Sequence, residues 1–266
     1  MSSVSDAFYL PTADPDVFLA TPLTEGLWEP QTQHAGPPSA LLTRAIERLP
    51  STIPGPSQLT RLTMEILGPI RTGEVRVRTN IARPGRAVEL VEAEMESANK
   101  VVVRSRAWRI RTAAIELPPM PPAAIAPPVP DSEATFRNPE WLHGYLGALD
   151  FHFVHGHFEV PGPAAVWTRL RYPLVAGEET TPTQRLMATA DSGNGLSSQF
   201  NFHEWWFINT ELTVHLVRPP VGEWVYVDAR STLDRSGVGL AETELYDANG
   251  RVGRGAQSLM VGPRSG

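Results

Sequence analysis

The chain repeats itself. Leu62-Thr63-Met64-Glu65-Ile66-Leu67, followed by Pro69 and Gly73-Glu74, returns about 150 residues later as Leu212-Thr213-Val214-His215-Leu216-Val217, followed by Pro219 and Gly222-Glu223. Residues 75–81 correspond in the same way to 224–230, and 101–110 to 252–261. Both halves keep the order helix, strand, Pro–Gly-Glu turn, two strands, Asn-containing turn, strand. Two copies that each curl a sheet around one helix can pack side by side and complete one extended sheet, which leaves fewer exposed edges.

In the first half, Leu41, Leu42, Ala45, Ile46 and Leu49 recur at helical spacing, with Thr43, Arg44, Glu47 and Arg48 on the other face. This predicts a helix with one buried stripe, begun at Ser39 or the turn before it and stopped by Pro50. Residues 59–67, 74–82, 87–96 and 101–110 then read as strands. In the second of these, Val75, Val77, Thr79 and Ile81 alternate with polar positions. Period-2 patterns broken by Pro, Gly and Asn about every ten residues indicate an antiparallel meander.

Residues 112–135 are different. The run IELPPMPPAAIAPPVPDSEATF carries seven prolines, which excludes a central strand or helix and predicts an extended, semi-rigid connector. The expected organisation is therefore an N-terminal unit at 1–111, a connector at 112–135 and a C-terminal unit at 136–266. Beyond the connector, residues 164–172, 208–217, 223–231, 239–246 and 253–261 are strand-like, and Asp247-Ala248-Asn249-Gly250 is a hairpin turn signal.

Composition removes several function classes. The chain has 266 residues, 41% of them hydrophobic, enough for a large core. A net charge of −6 gives no nucleic-acid footprint. Without cysteine there are no disulfides, thiol nucleophiles or cysteine metal sites. The first residues lack a secretory pattern and no apolar run approaches the roughly 20 residues needed to cross a bilayer. A cytoplasmic protein without membrane insertion is expected.

The second half has its own centre in residues 186–202, LMATADSGNGLSSQFNF. Two glycines and an Asn stop a long helix there, each Gly costing about 1 kcal/mol inside one. Asp191 has no basic residue nearby in sequence after Arg185. Buried and unpaired, its carboxyl would have a raised pKa and would suit general-base work. The competing reading is that Asp191 caps a helix or an Asx-turn completed by Ser192 and Gly193.

QHAGPPSALLTRA at the first helix, LMATADSGN at the second, WVYVDARSTLDRSG and GRVGRGAQSLMV near the end together resemble the acyl-CoA thioesterase II and thioesterase-like superfamily. The resemblance implies an α+β double hotdog fold, two tandem antiparallel sheets each wrapped around a central helix. It also implies hydrolysis of an acyl-CoA to free acid and CoA, no cofactor and no metal, and a homodimer of double-hotdog chains. The family's water-holding Asp, Thr or Ser, and Gln fall here on Asp191, Thr232 (with Ser231 beside it) and Gln257. His34, Gly36, Gly193 and Ser231 are the implied substrate contacts. The family often carries His-Gly-Gly before the first helix, where this chain has His34-Ala35-Gly36-Pro37-Pro38, and a hydrogen-bonded turn histidine is the alternative for His34.

The three residues make chemical sense together. Asp191 is the one base among them, and Thr232 and Gln257 can orient a water by hydrogen bonds. Direct hydrolysis fits this set, with a covalent Asp anhydride as the alternative. The first half places apolar Ala40 or Leu41 opposite Asp191, and Arg83 and Arg106 near the equivalents of Thr232 and Gln257, so one water site per chain is expected.

Other residues admit two readings. His152, His155 and His157 could suggest a metal, but period 2 puts His152 on the opposite face from the other two. Arg76, Arg78, Arg104, Arg106 and Arg109 form either a solvated face paired with Glu92 and Glu94 or a cationic rim for CoA phosphates. Trp205-Trp206-Phe207 reads as core with tunnel lining, or as an oligomer contact. Two further functions remain open: a non-catalytic acyl-CoA or acyl-carrier binding protein, and an enoyl-CoA hydratase. Hotdog hydratases use an Asp/His pair, and no His lies at a matching sequence spacing from Asp191.

Overall fold

The computed structural model describes residues 6–121, 124–129, 138–139 and 141–264. Expectations for the remaining connector positions lie outside the described residues.

Two short strands, β1 (Tyr9–Pro11) and β2 (Val17–Ala20), precede helix α1 (Gly36–Arg48). The helix begins ahead of Ser39 because Pro37 and Pro38 fall in its first turn, where no N–H is needed. It ends at Leu49, whose extended backbone precedes Pro50. The expected single buried stripe is corrected: Thr43 and Arg44 are buried along with Leu41, Leu42 and Ile46. A second helix covers what would otherwise be the solvent face. Thr43 donates its hydroxyl to Ser39 O at 2.8 Å, and Arg44 forks onto Glu178 at 2.6 and 2.7 Å.

Four strands follow: β3 (Ser57–Ile66), β4 (Gly73–Arg83), β5 (Val88–Ser97) and β6 (Lys100–Arg111). The turn between the last two uses Ala98 and Asn99 at φ 51° and 62°, the left-handed pair that matches hairpin twist. After β6, residues 112–121 carry no helix or strand. The chain continues through the short helix α2 (Gly144–Gly147) and strands β7 (Leu149–His157) and β8 (Val160–Leu170).

Next come helix α3 (Pro182–Ala190) and the single turn α4 (Gly193–Leu196). Thr181 and Gln184 form a capping box at the start of α3. Glu47 of α1 accepts from both, at 2.9 and 2.7 Å. The far end of α1 thus meets the start of α3, and Gly36 at the start of α1 lies against Ala188 near the end of α3. The two helices are antiparallel neighbours. A Cβ on Gly36 would stand 2.1 Å from Ala188 O, so only glycine permits this approach.

The last strands are β9 (Trp205–Asn209), β10 (Glu211–Leu216), β11 (Trp224–Leu233), β12 (Val238–Asp247) and β13 (Gly250–Pro263). All strands join one sheet in the order β1-β2-β4-β5-β6-β3-β10-β13-β12-β11-β8-β7, with β9 on β13. The halves meet at β3 and β10, where Thr63 pairs with Thr213 and their hydroxyls are 3.2 Å apart. One apolar core runs through both halves, from Leu41 and Leu62 to Leu186 and Val214. This is the double hotdog arrangement. A small second cluster, Ala165, Trp167 and Tyr226, lies on the outer face under Ala126 and Val129 of the connector. No helix among the described residues is long and apolar enough to cross a membrane.

Candidate active site

Asp191 closes α3 with helical backbone angles. Its side chain turns inward, leaving the residue 2% exposed. Burial pushes its carboxyl up to about 7, against hydrogen bonds from Asn209, Gln257 and the N–H groups of Ala35 and Gly36. A helix C-terminus disfavours an anion, and the start of α1 supplies the opposite end of a helix dipole at the same point. The Gly36 approach therefore sets the carboxyl between two helix ends.

Oδ1 of Asp191 accepts from Asn209 Nδ2 at 2.8 Å and from Gln257 Nε2 at 3.2 Å. Gln257 also donates to Asp191 O at 3.1 Å and accepts from Asn194 N at 3.0 Å. These bonds fix which way the Gln257 amide faces. Gln257 reaches the site because β13 turns Gly253, Gly255, Gln257 and Leu259 inward. Gly193 leaves the room it needs, since a Cβ there would meet Gln257 Oε1 at 2.9 Å.

Thr232 is not part of this cluster. On β11 the inward residues are Val225, Val227 and Ala229, followed by Ser231, which places Thr232 on the exposed outer face. Ser231 does face inward, 2.8 Å from the Ser197 hydroxyl. The third polar partner of Asp191 is Asn209, which the sequence reading missed. A strand running through 208–217 in phase with buried Leu212 and Val214 puts Asn209 outside. The interruption at Thr210 shifts the phase, so Phe207 and Asn209 are buried while Ile208 is exposed.

His34 precedes α1, and its Nδ1 lies 3.2 Å from Asp191 Oδ2 and 3.0 Å from Gly36 N. No histidine lies at a matching sequence spacing from Asp191, yet the fold brings one to it. The partner comes from the other half of the chain, where spacing within the second half could not reveal it. Burial holds the imidazole down to about 3. Its ring stacks on Tyr145 at 3.9 Å. The Tyr145 hydroxyl donates to Ala188 O at 2.8 Å and lies 2.9 Å from Ser192 Oγ.

Two cavities meet at His34, Asn194 and Trp28. One, of about 350 Å³, also touches Asp191, Asn209, Gln33 and the exposed Leu67 and Ile208. The other, of about 50 Å³, is walled mainly by aromatic and leucine side chains. Gly36 packs against α3 and Gly193 against Gln257, so each shapes the site through its missing side chain.

The first half lacks these groups. Sheet pairing aligns Ala107 with Gln257 and Ala93 with Thr243, because Thr63–Arg106 mirrors Thr213–Ala256 and Ala93–Ser105 mirrors Thr243–Gly255. The equivalent of Gln257 is thus one residue beyond Arg106, and apolar. The five arginines do not form a cationic rim. Arg76 pairs with Asp14, Arg78 with Glu96, Arg104 with Glu94 and Arg106 with Glu92, and Arg109 is buried on Glu89. His152 is buried edge-on to Trp224, while His155 and His157 face Asp228 and Glu159. No group of three or more His, Cys, Asp or Glu among the described residues is placed to hold a metal.

The profile of an acyl-CoA thioesterase N-terminal domain matches residues 24–110, and that of an acyl-CoA thioesterase C-terminal domain matches residues 121–261. No curated protein matches the sequence. Among solved structures, a Thermobifida fusca protein assigned as a thioesterase II superposes with a TM-score of 0.71 at 17% identity, over 97% of this chain and 96% of that one. An Alicyclobacillus acidocaldarius hot dog fold protein of unknown function gives 0.69 at 15%, over 98% and 97%. An acyl-CoA thioesterase II from Mycobacterium marinum gives 0.64 at 15%, over 96% and 94%.

Proposed function

Because the chain belongs to the acyl-CoA thioesterase family, we propose that this thioester hydrolase cleaves an acyl-CoA by direct attack of water, with Asp191 as general base. The observation that carries the mechanism is a buried carboxyl poised at about 7, held by two amides in the wall of a solvent-reaching cavity. A general base works best with a pKa near the working pH.

Asp191 and Asn209 share the larger cavity, where a water can rest on both. The ionised carboxylate takes a proton as the water oxygen bonds to the thioester carbonyl carbon. The tetrahedral intermediate then expels the CoA thiolate, which recovers that proton from Asp191. One water and one thioester give one carboxylic acid and one thiol. Asn209 and Gln257 keep Oδ1 occupied and so hold the carboxylate in one orientation. His34 lies beside Oδ2 and borders both cavities, which suits contact with the thioester. Ser231 is hydrogen-bonded to the Ser197 hydroxyl.

The test is Asp191→Asn, assayed by free-thiol release from a panel of acyl-CoAs. Turnover is expected to fall by about a thousandfold or more, as loss of a general base and its alignment requires, with the circular dichroism spectrum unchanged. Turnover at the level of the parent protein rules out Asp191 as the base.

The Asp191–His34 contact favours one second reading, hydration of an enoyl-CoA, in which such a pair adds water across a double bond. Crotonyl-CoA separates the two. Hydration removes its enoyl absorbance without releasing thiol, whereas hydrolysis releases thiol.

A further inference from the structure

We infer that this enzyme selects short acyl groups, of about butyryl size, because the chamber beyond His34 is a narrow, largely aromatic-walled space too small for a long chain or a phenyl ring. The inference rests on the hydrolytic reading for where the thioester lies.

The two cavities differ in size and exposure. The larger one reaches exposed residues and combines Gln33, Asn209 and Thr210 with Ile66, Leu67, Ile70 and Ile208, so it suits the thiol arm, part amide and part hydrocarbon, and the water. The smaller is walled by Trp28, Trp141, Leu146, Phe158, Phe202 and Phe207. An apolar acyl group gains from burial against these rings, and Ser192, Asn194 and Ser198 line the remainder of the space. His34 and Asn194 border both spaces, so a thioester carbonyl at that junction directs its acyl carbons into the aromatic-walled space.

The volume decides the substrate class. About 50 Å³ is a third of the ~150 Å³ that admits benzene. The walls support one another against expansion. Trp141 stacks on Phe158 at 5.7 Å, and Phe158 meets Phe151 and Phe153 edge-on at 5.2 Å. Trp28 packs on Phe202 at 4.8 Å and Phe207 at 4.9 Å. The Arg264 guanidinium caps Phe202 and Trp28 from outside, at 4.5 and 5.2 Å. A longer chain must displace several of these rings together, and overfilling a packed site is unfavourable.

The experiment compares binding of the inert thioethers S-butyl-CoA and S-octyl-CoA by calorimetry, beside hydrolysis of butyryl-CoA and octanoyl-CoA. S-butyl-CoA is expected to bind about tenfold or more tightly than S-octyl-CoA, with the same ratio or greater in kcat/KM. Phe158→Ala and, separately, Leu146→Ala are expected to move the preference toward the octyl and octanoyl compounds. A variant that merely unfolds loses both ligands alike. Equal or tighter binding of S-octyl-CoA by the parent protein overturns the inference. Short-selective binding with no hydrolysis of any acyl-CoA supports the chamber and sinks the hydrolytic reading instead.

Discussion

Nδ1 of His34 lies 3.2 Å from Oδ2 of Asp191, joining the lead-in of the first central helix to the end of the second. Burial moves the two groups in opposite directions, the carboxyl up to about 7 and the imidazole down to about 3. A proton held at this contact therefore resides on Asp191, and His34 stays neutral. Nδ1 accepts from Gly36 N at 3.0 Å, so the neutral ring carries its proton on Nε2, and the protonated Asp191 carboxyl is the group that can donate across the contact. The contact has consequences for activity and for stability, and they differ.

Activity should follow ionisation of Asp191. The logarithm of kcat/KM is expected to rise with pH at unit slope and level off above about 7. At pH 5 the rate should be about a hundredfold below its plateau. A steady-state profile with its acid limb near 4 shows that another group, or an unshifted Asp191, controls the reaction.

Stability should show two opposed linkages. Asp191 has a folded pKa raised from 3.8 to about 7, so its contribution is fully present below about 4 and is lost as pH rises through 7. His34 has a folded pKa lowered from 6.5 to about 3, so its contribution is present above 6.5 and is lost as pH falls toward 3. Each amounts to a few kcal/mol, and in the parent protein they partly cancel. Asp191→Asn should therefore lose stability more steeply than the parent on acidification below pH 6.5, and His34→Gln should gain. Chemical denaturation at pH 4.5 and pH 8 measures both slopes, and parallel slopes in all three proteins exclude the linkage.

Asn209 and Thr232 give opposite expectations. Asn209→Ala removes a 2.8 Å hydrogen bond to the carboxylate and should lower kcat by about a hundredfold. Gln257→Ala should do the same. Thr232→Ala alters an exposed outer-face residue and should leave kcat and KM unchanged. A large effect at Thr232 with none at Asn209 contradicts the geometry.

Gly36→Ala tests the contact between the helices. The new methyl has 2.1 Å to Ala188 O, so α1 and α3 must separate or rotate. Destabilisation of about 2 kcal/mol or more is expected, together with loss of activity because Ala35 and Gly36 supply N–H groups to Asp191. Denaturant melts and thiol-release assays on the purified variant read both effects.

The outer arginines and the buried one should also separate. Arg104→Ala and Arg106→Ala break exposed pairs with Glu94 and Glu92, worth about 0–1 kcal/mol each, and should not change KM for any acyl-CoA. Arg109→Ala leaves Glu89 buried without its guanidinium, with Ser51 and Thr52 still bonded to it. A loss of about 3–5 kcal/mol is expected.

Much of this architecture could be read from the residues. The duplicated Leu-Thr pattern marked the two strands that meet at Thr63 and Thr213, and alternation located the four strands of the first meander within one or two residues. Asp191 stood out as an acid among apolar neighbours, and the inward phase of β13 brings Gln257 to it. The errors share a physical source, the choice of face. Thr232 was one residue out of phase with Ser231, and Asn209 was hidden by the interruption at Thr210. Thr43 and Arg44 looked solvated because helix packing against α3 is a long-range contact. His34 was legible as an implied substrate contact or a turn residue, but its pairing with Asp191 was not, since that partner is supplied by the other half.

The Gly36–Ala188 approach makes the two halves behave as an obligate heterodimer joined by a tether. One side contributes the amide-rich end of a helix and an imidazole, the other a carboxyl and its amides, so neither fragment by itself can assemble the Asp191 cluster. Severing the polypeptide between Arg111 and Gly144 ought to leave a complementing pair of fragments. Drift in either one would then have to be answered by matching change in its mate.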